Sequence, residues 1–192
     1  MGASAKKEAS YADVLNAPPH KVAEIINGEL VLSPRPAGPH SVAASALLEE
    51  LGPPFKRGRG GPGGWIILSE PELHLGRDVL VPDLAGWRRE TMSVVANEPY
   101  FTIRPDWICE VLSPSTERYD RAAKMAIYAS AGVTHAWLVN PLLRTLEILR
   151  LSSATPGQWS GLAVHQDDAK VRAEPFAELE LDLSILWRDV QL

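Results

Sequence analysis

The stretch from Asp106 to Asn140 constrains the fold more than any other part of the chain. It opens on an apolar strand, Asp106–Leu112 (DWICEVL), that Ser113-Pro114 stops. A helix from Thr116 to Ala131 follows, with Thr116 as a plausible N-cap and Gly132 just past its end. A second strand, Thr134–Val139, comes next, and Asn140-Pro141 separates it from a third at Thr145–Leu151. Strand, helix, strand in that order is a β-α-β unit, which needs a sheet to lie in and an apolar layer under its helix.

The upstream half adds hairpins. VAEIINGELVLSP reads as two short strands around Asn27-Gly28, the dipeptide of a type I′ turn. Pro34, Pro36 and Pro39 then break regular structure, and His40–Leu51 carries Val42, Ala46 and Leu47 near helical spacing. Strands are expected at Trp65–Leu68 and Glu72–Leu75, with one long strand from Val79 to Trp87. Arg88 to Arg104 reads as mostly loop, and AELELDLSILW as an extended piece followed by a short helix near Leu183–Trp187. Mixed helices and strands predict one α/β domain on a mixed sheet over residues 11–192, behind a flexible tail at 1–10.

Composition narrows the class. With 45% apolar and 22% charged residues, the 192-residue chain is not disordered as a whole. No apolar run approaches the roughly 18 residues of a membrane span. MGASAKKEAS has no apolar stretch behind its lysines, so it does not read as a signal peptide. A single cysteine, Cys109, excludes an internal disulfide and a cysteine-based zinc site. The expectation is a soluble, cytoplasmic protein. A net charge of −5 argues against a passive nucleic-acid coat, though not against an enzyme with a local basic strip.

Two acids stand out by their neighbours. Strand alternation places Val79, Val81, Asp83, Ala85 and Trp87 on one face, and Ile108, Glu110 and Leu112 on another. Each acid sits in an otherwise apolar strand, and burying an ionised carboxylate costs several kcal/mol unless a cation or donors meet it. A solvated strand end would also explain Asp83 after Pro82; two such acids together favour function. The cation is either a divalent metal or Lys124. Asp120, Lys124 and Tyr128 follow at four-residue steps on one helix face, a spacing that equally suits a surface ion pair. On the helical wheel Lys124 falls on the polar side, with Ala122, Met125, Ala126 and Ala129 on the apolar side.

These residues carry a family resemblance. PDWICEVLSPSTERYDRAAKMAIYASAGVTHAWLVNP resembles the signature of the Uma-two family of restriction-endonuclease-like proteins, and INGELVLSP, PRPAGPH and VPDLAGW resemble its earlier blocks in order. The resemblance covers residues 20–188. It implies the PD-(D/E)xK nuclease fold, a restriction-endonuclease-like mixed β-sheet flanked by helices, here with an extra N-terminal β-hairpin. Carried over residue by residue, Asp83 resembles the metal-binding Asp and Glu110 the following acid. The usual lysine would fall at Leu112, a departure, and Lys124 on the next helix matches the lysine role. Glu29 and His40 match further acidic and imidazole positions as supporting residues. Asn140 and Ala136 stand where the family usually has Asp and Tyr.

The implied chemistry is metal-dependent hydrolysis of phosphodiester bonds in DNA, with Mg²⁺ or Mn²⁺ on Asp83 and Glu110 and with Lys124 beside them. Lys56, Arg57 and Arg59, together with Arg88 and Arg89, are candidates for phosphate contacts and read equally well as solvated charges. Cutting both strands of a duplex needs two sites, so a homodimer is expected. The alternatives are a catalytically silent binding or assembly module on the same fold and a hydrolase of small phosphate esters. Gly58, Gly60 and Gly63 fit G-x-G-x-x-G without a preceding strand, so no nucleotide cofactor is expected. The five histidines show no zinc-binding spacing.

Overall fold

The computed structural model describes residues 8–190. A short helix, α1 (Tyr11–Leu15), precedes the hairpin of β1 (Lys21–Ile26) and β2 (Glu29–Pro34). Asn27 and Gly28 turn it with φ of 52° and 78°, the left-handed pair that a type I′ turn requires. Helix α2 (Gly38–Leu51) runs into a π-helical turn at Gly52–Lys56. Five strands follow: β3 (Trp65–Ser69), β4 (Leu73–Leu75), β5 (Asp78–Leu80), β6 (Leu84–Arg88) and β7 (Trp107–Val111). A π-helical segment, Tyr119–Lys124, leads into α3 (Met125–Ala131), which Gly132 closes in the left-handed region at φ 82°. The remainder comprises β8 (His135–Asn140), β9 (Thr145–Leu151), β10 (Trp159–Gln166), β11 (Lys170–Val171), β12 (Leu181–Asp182) and a 3₁₀ turn at Leu183–Leu186.

The mixed sheet expected from the β-α-β unit is present. Its six strands lie in the order β10-β9-β8-β7-β6-β3, with β7 and β8 parallel and every other pair antiparallel. The hairpin belongs to a second sheet, ordered β2-β1-β5-β4. One expectation is corrected here: Val79–Trp87 is not a continuous strand. It divides into β5 in the small sheet and β6 in the large one, so Val81-Pro82-Asp83 crosses between them. Pro82 has no N–H to give a ladder, and the Val81 N–H goes instead to the Glu24 carboxylate at 2.8 Å. Strand β10 pairs with β9 through a bulge between Gly161 and Ala163, where no strand had been expected. Of the tail expected at 1–10, residues 1–7 lie outside the described part, while Ala9 donates its N–H to the Gly28 carbonyl at 2.8 Å.

Every residue of β7 is buried, because the large sheet is covered on both faces. Trp107, Cys109 and Val111 pack with Ala43, Leu47 and Leu51 of α2. Ile108 and Leu112 pack on the opposite side, with Met125 and Tyr128 and with Leu73 and Leu80 of the small sheet. Alternation therefore aims Glu110 into the layer between the large sheet, the small sheet and α3.

The helix itself departs from the expected wheel. Asp120, Lys124, Ile127 and Tyr128 are buried with Met125 and Ala129, whereas Ala122 and Ala126 are exposed. A π-helical turn holds more residues than an α-helical one and shifts the phase of everything after it.

Candidate functional site

Four elements converge on one set of charges. Glu24 comes from β1, Asp83 from the crossing between the sheets, Glu110 from β7, and Asp120 with Lys124 from the π-helical segment. The Lys124 ammonium lies 2.9 Å from Glu110 Oε1, 3.0 Å from Glu24 Oε1 and 3.5 Å from Asp120 Oδ1. Its side chain is only 3% exposed, so this is a buried ion cluster and not the surface pair that its spacing also allowed. Tyr128 donates its hydroxyl to Glu110 Oε1 at 2.7 Å. Both contacts use Oε1 of Glu110, and Oε2 takes part in neither.

Asp83 is held from two sides. His40, in the first turn of α2, places Nε2 3.0 Å from Oδ1, and the Val111 N–H donates to Oδ2 at 2.6 Å. The last bond ties the start of β6 to the residue after Glu110, which locks the two acids at adjacent strand ends. A cavity of about 390 Å³ opens onto this centre, with Glu24, His40, Asp83, Glu110, Asp120 and Lys124 all in its wall. Ser113, Ser115 and Thr116 form the turn beside it, with Ser113 Oγ 2.9 Å from Ser115 Oγ and 3.0 Å from Thr116 Oγ1.

Charge in the cluster is out of balance. Four carboxylates meet one ammonium and one imidazole; were all four ionised, two negative charges would be unmatched even with His40 protonated. Burial pushes the Glu110 carboxyl well above the usual range against the pull of Lys124, and burial likewise raises Asp120. Burial works against the Lys124 ammonium, but the charges of Glu110 and Glu24 outweigh it and hold Lys124 well above its ordinary value. Burial also opposes the His40 imidazolium, and the hydrogen bond and charge of Asp83 overcome it, so His40 is raised.

An excess of hard carboxylate oxygens fits a divalent cation such as Mg²⁺ or Mn²⁺. Among the described residues no three His, Cys, Asp or Glu side chains already form a metal cage. A cation here would take few protein ligands and keep several waters, as Mg²⁺ ordinarily does.

Three of the residues singled out by sequence, Asp83, Glu110 and Lys124, are thus brought together, and His40 joins them through Asp83. Glu29 is not. It is exposed at the turn end of β2, opposite Ile26, and the hairpin carboxylate that reaches the centre is Glu24. Glu24 lies between Val22 and Ile26 by alternation, the same acid-in-an-apolar-strand signal that marked Glu110. The basic residues gather elsewhere. Trp65 pairs with Arg88, and the Arg89 N–H donates to the Gly64 carbonyl at 2.9 Å, so Arg88, Arg89 and the loop of Lys56, Arg57 and Arg59 share one end of β3 and β6. Asp83 is five residues from Arg88 at the other end of β6, about 17 Å along an extended strand. The Arg88 guanidinium sits 4.5 Å from the Trp65 ring centroid, and Arg89 donates to the Ser93 carbonyl at 2.9 Å.

Comparison with known proteins gives the frame for this centre. The model of the Uma2 family, described as "Putative restriction endonuclease", matches residues 10–185. Among solved structures, the chain is similar to "a putative nuclease belonging to DUF820 from Anabaena variabilis ATCC 29413". The two share a TM-score of 0.73 at 24% identity, over 94% of this chain and 98% of the other, a likeness of fold. No functionally curated protein matches the chain. With its sheet, its crossing segment and its buried acids in place, the chain belongs to the Uma2 family of restriction-endonuclease-like proteins.

Proposed function

We propose that this protein is a metal-dependent endonuclease that hydrolyses phosphodiester bonds of DNA in the cytoplasm. The observation that carries the reading is the convergence of Asp83, Glu110 and Lys124 on one cavity in which carboxyl groups outnumber cationic ones. Asp83 and Glu110 would hold Mg²⁺ or Mn²⁺. Such an ion, when bound, polarises a phosphoryl oxygen and lowers the pKa of a coordinated water.

The chain's own residues prepare that site. His40 and the Val111 N–H fix both oxygens of Asp83, and Tyr128 with Lys124 fixes Oε1 of Glu110. Holding ligands before substrate arrives avoids reorganisation during the reaction. Lys124 supplies the positive charge that offsets charge building on the phosphate. Lys56, Arg57, Arg59, Arg88 and Arg89, at the far end of β3 and β6, would contact the duplex backbone away from the cut and position it without reading sequence.

One observation favours a second reading, a catalytically silent module on the same fold. Lys124 and Glu110 are 3% and 2% exposed, with the ammonium fully engaged by acids. Supercoiled plasmid separates the two readings. With Mg²⁺ or Mn²⁺ present, conversion to nicked or linear DNA is expected, and EDTA abolishes it. If a small phosphodiester such as bis(4-nitrophenyl) phosphate is cleaved while plasmid stays intact, the substrate is not DNA. Plasmid that is bound and never cut identifies the silent module.

We also propose a homodimer, because one small domain offers a single centre and a duplex has two strands to cut. Sedimentation at micromolar concentration is expected to show twice the chain mass, and a monomer with or without DNA contradicts it.

A further inference from the structure

We propose that Glu24 is a positioning residue of the nuclease centre, acting through Lys124 and through the segment that carries Asp83. This role rests on the nuclease reading above. A single oxygen, Oε1, accepts the Lys124 ammonium at 3.0 Å and the Val81 N–H at 2.8 Å. Val81 is two residues before Asp83, in the segment that leaves the small sheet and enters the large one. Lys124 also donates to the Val81 carbonyl at 3.4 Å. Glu24, Val81 and Lys124 therefore close a ring, and Asp83 hangs from it.

The placement of Glu24 has a consequence for the cation. Glu110 Oε1 is shared between Tyr128 and Lys124, so a cation drawn to this carboxylate would weaken its pull on the ammonium. Glu24 stands on a different sheet from Glu110 and holds Lys124 by its own 3.0 Å contact, a second anchor for the ammonium independent of Glu110. Its side chain is 7% exposed and sits in the cavity wall, in direct contact with Lys124.

Glu24→Gln tests this role. The amide has the shape of the carboxylate and its oxygen still accepts the Val81 N–H, but the charge facing Lys124 is gone. In plasmid nicking with Mn²⁺, kcat is expected to fall on the order of 10²-fold, the usual cost of a misplaced catalytic group, with KM little changed. Mn²⁺ binding, read by calorimetry on the DNA-free protein, is weakened by no more than the roughly 10–100-fold typical of an outer-shell partner and stays measurable, since Glu24 positions Lys124 and does not hold the ion. Glu24→Asp, which keeps the charge on a shorter arm, recovers part of the lost kcat.

Assays run well below the thermal midpoint of each variant, so that fold loss is not read as rate loss. Unchanged kcat in Glu24→Gln overturns the role. So does loss of all measurable Mn²⁺ binding in Glu24→Gln, which would make Glu24 a metal ligand. Wild-type protein that cuts nothing with any metal removes the nuclease reading itself, and this role with it. Active wild type beside a normal Glu24→Gln removes this role alone.

Discussion

Lys124→Ala is expected to lose about 3–5 kcal/mol of folding stability together with all metal-dependent cutting. The size follows from what remains. Without the ammonium, Glu24, Glu110 and Asp120 stay buried at the centre with no cation among them, and an uncompensated buried charge is far costlier than a lost surface pair. Partial protonation of Glu110 and Asp120, both raised by burial, relieves some of that cost. Urea denaturation measures the difference, and the thermal midpoint should fall by roughly 6–20 °C for a chain of this size. Adding Glu110→Gln to Lys124→Ala removes one of the stranded charges and should restore part of the loss. A Lys124→Ala protein within 1 kcal/mol of wild type, on the order of a surface ion pair, would contradict the buried cluster.

Phe176→Ala is expected to cost about 3–5 kcal/mol and leave the chemistry of the site untouched below the new midpoint. Phe176 joins Phe55, Trp65, Trp107 and Trp137, with ring centroids 4.7, 4.8, 5.0 and 5.7 Å away. Its side chain packs in the layer of the large sheet, α2 and the chain from Val171 to Leu186, where Trp107 and Trp137 meet edge to face at 5.2 Å. Truncation leaves a cavity walled by rigid rings, which cannot collapse as aliphatic chains do. Differential scanning calorimetry gives the expected drop, and nicking at a temperature where the variant is folded should match wild type. A shift below about 2 °C, the effect of about 1 kcal/mol or less, would show that the segment between β11 and β12 does not close the core.

Glu110 was legible from its strand alone. Alternation in DWICEVL puts it between Ile108 and Leu112, and the structure packs those two together on the α3 side while Cys109 packs on the other. The Asn27-Gly28 turn, the β-α-β unit and the stop at Gly132 were equally local signals and took the expected forms. Asp83 was found by a pattern that is only half present. Its strand breaks at Pro82, and what places it beside Glu110 is the antiparallel pairing of β6 with β7, a long-range fact that strand alternation does not contain.

The helical wheel leaves the face of Lys124 open between solvent and a cleft; the structure buries it, while Ala122 and Ala126, on the expected apolar side, turn outward after the π-helical segment. Glu29 is singled out by its place in the hairpin motif, on the second strand, and Glu24 is not. The small sheet's contact with the crossing segment, through the Val81 N–H, selects the first strand instead. Phe176 lay in a stretch with no periodicity, so nothing in its neighbours marked it as core.

The most direct test of the central claim is plasmid nicking with Mn²⁺ by wild type, Asp83→Ala and Glu110→Gln, each shown folded by circular dichroism. Asp83→Ala removes the acid that His40 and Val111 hold, and Glu110→Gln keeps shape while removing charge. The account predicts cutting by wild type that EDTA stops, and loss of it in both variants by at least about three orders of magnitude. Cutting that survives in both folded variants would contradict the assignment of this buried acid cluster as the nuclease centre.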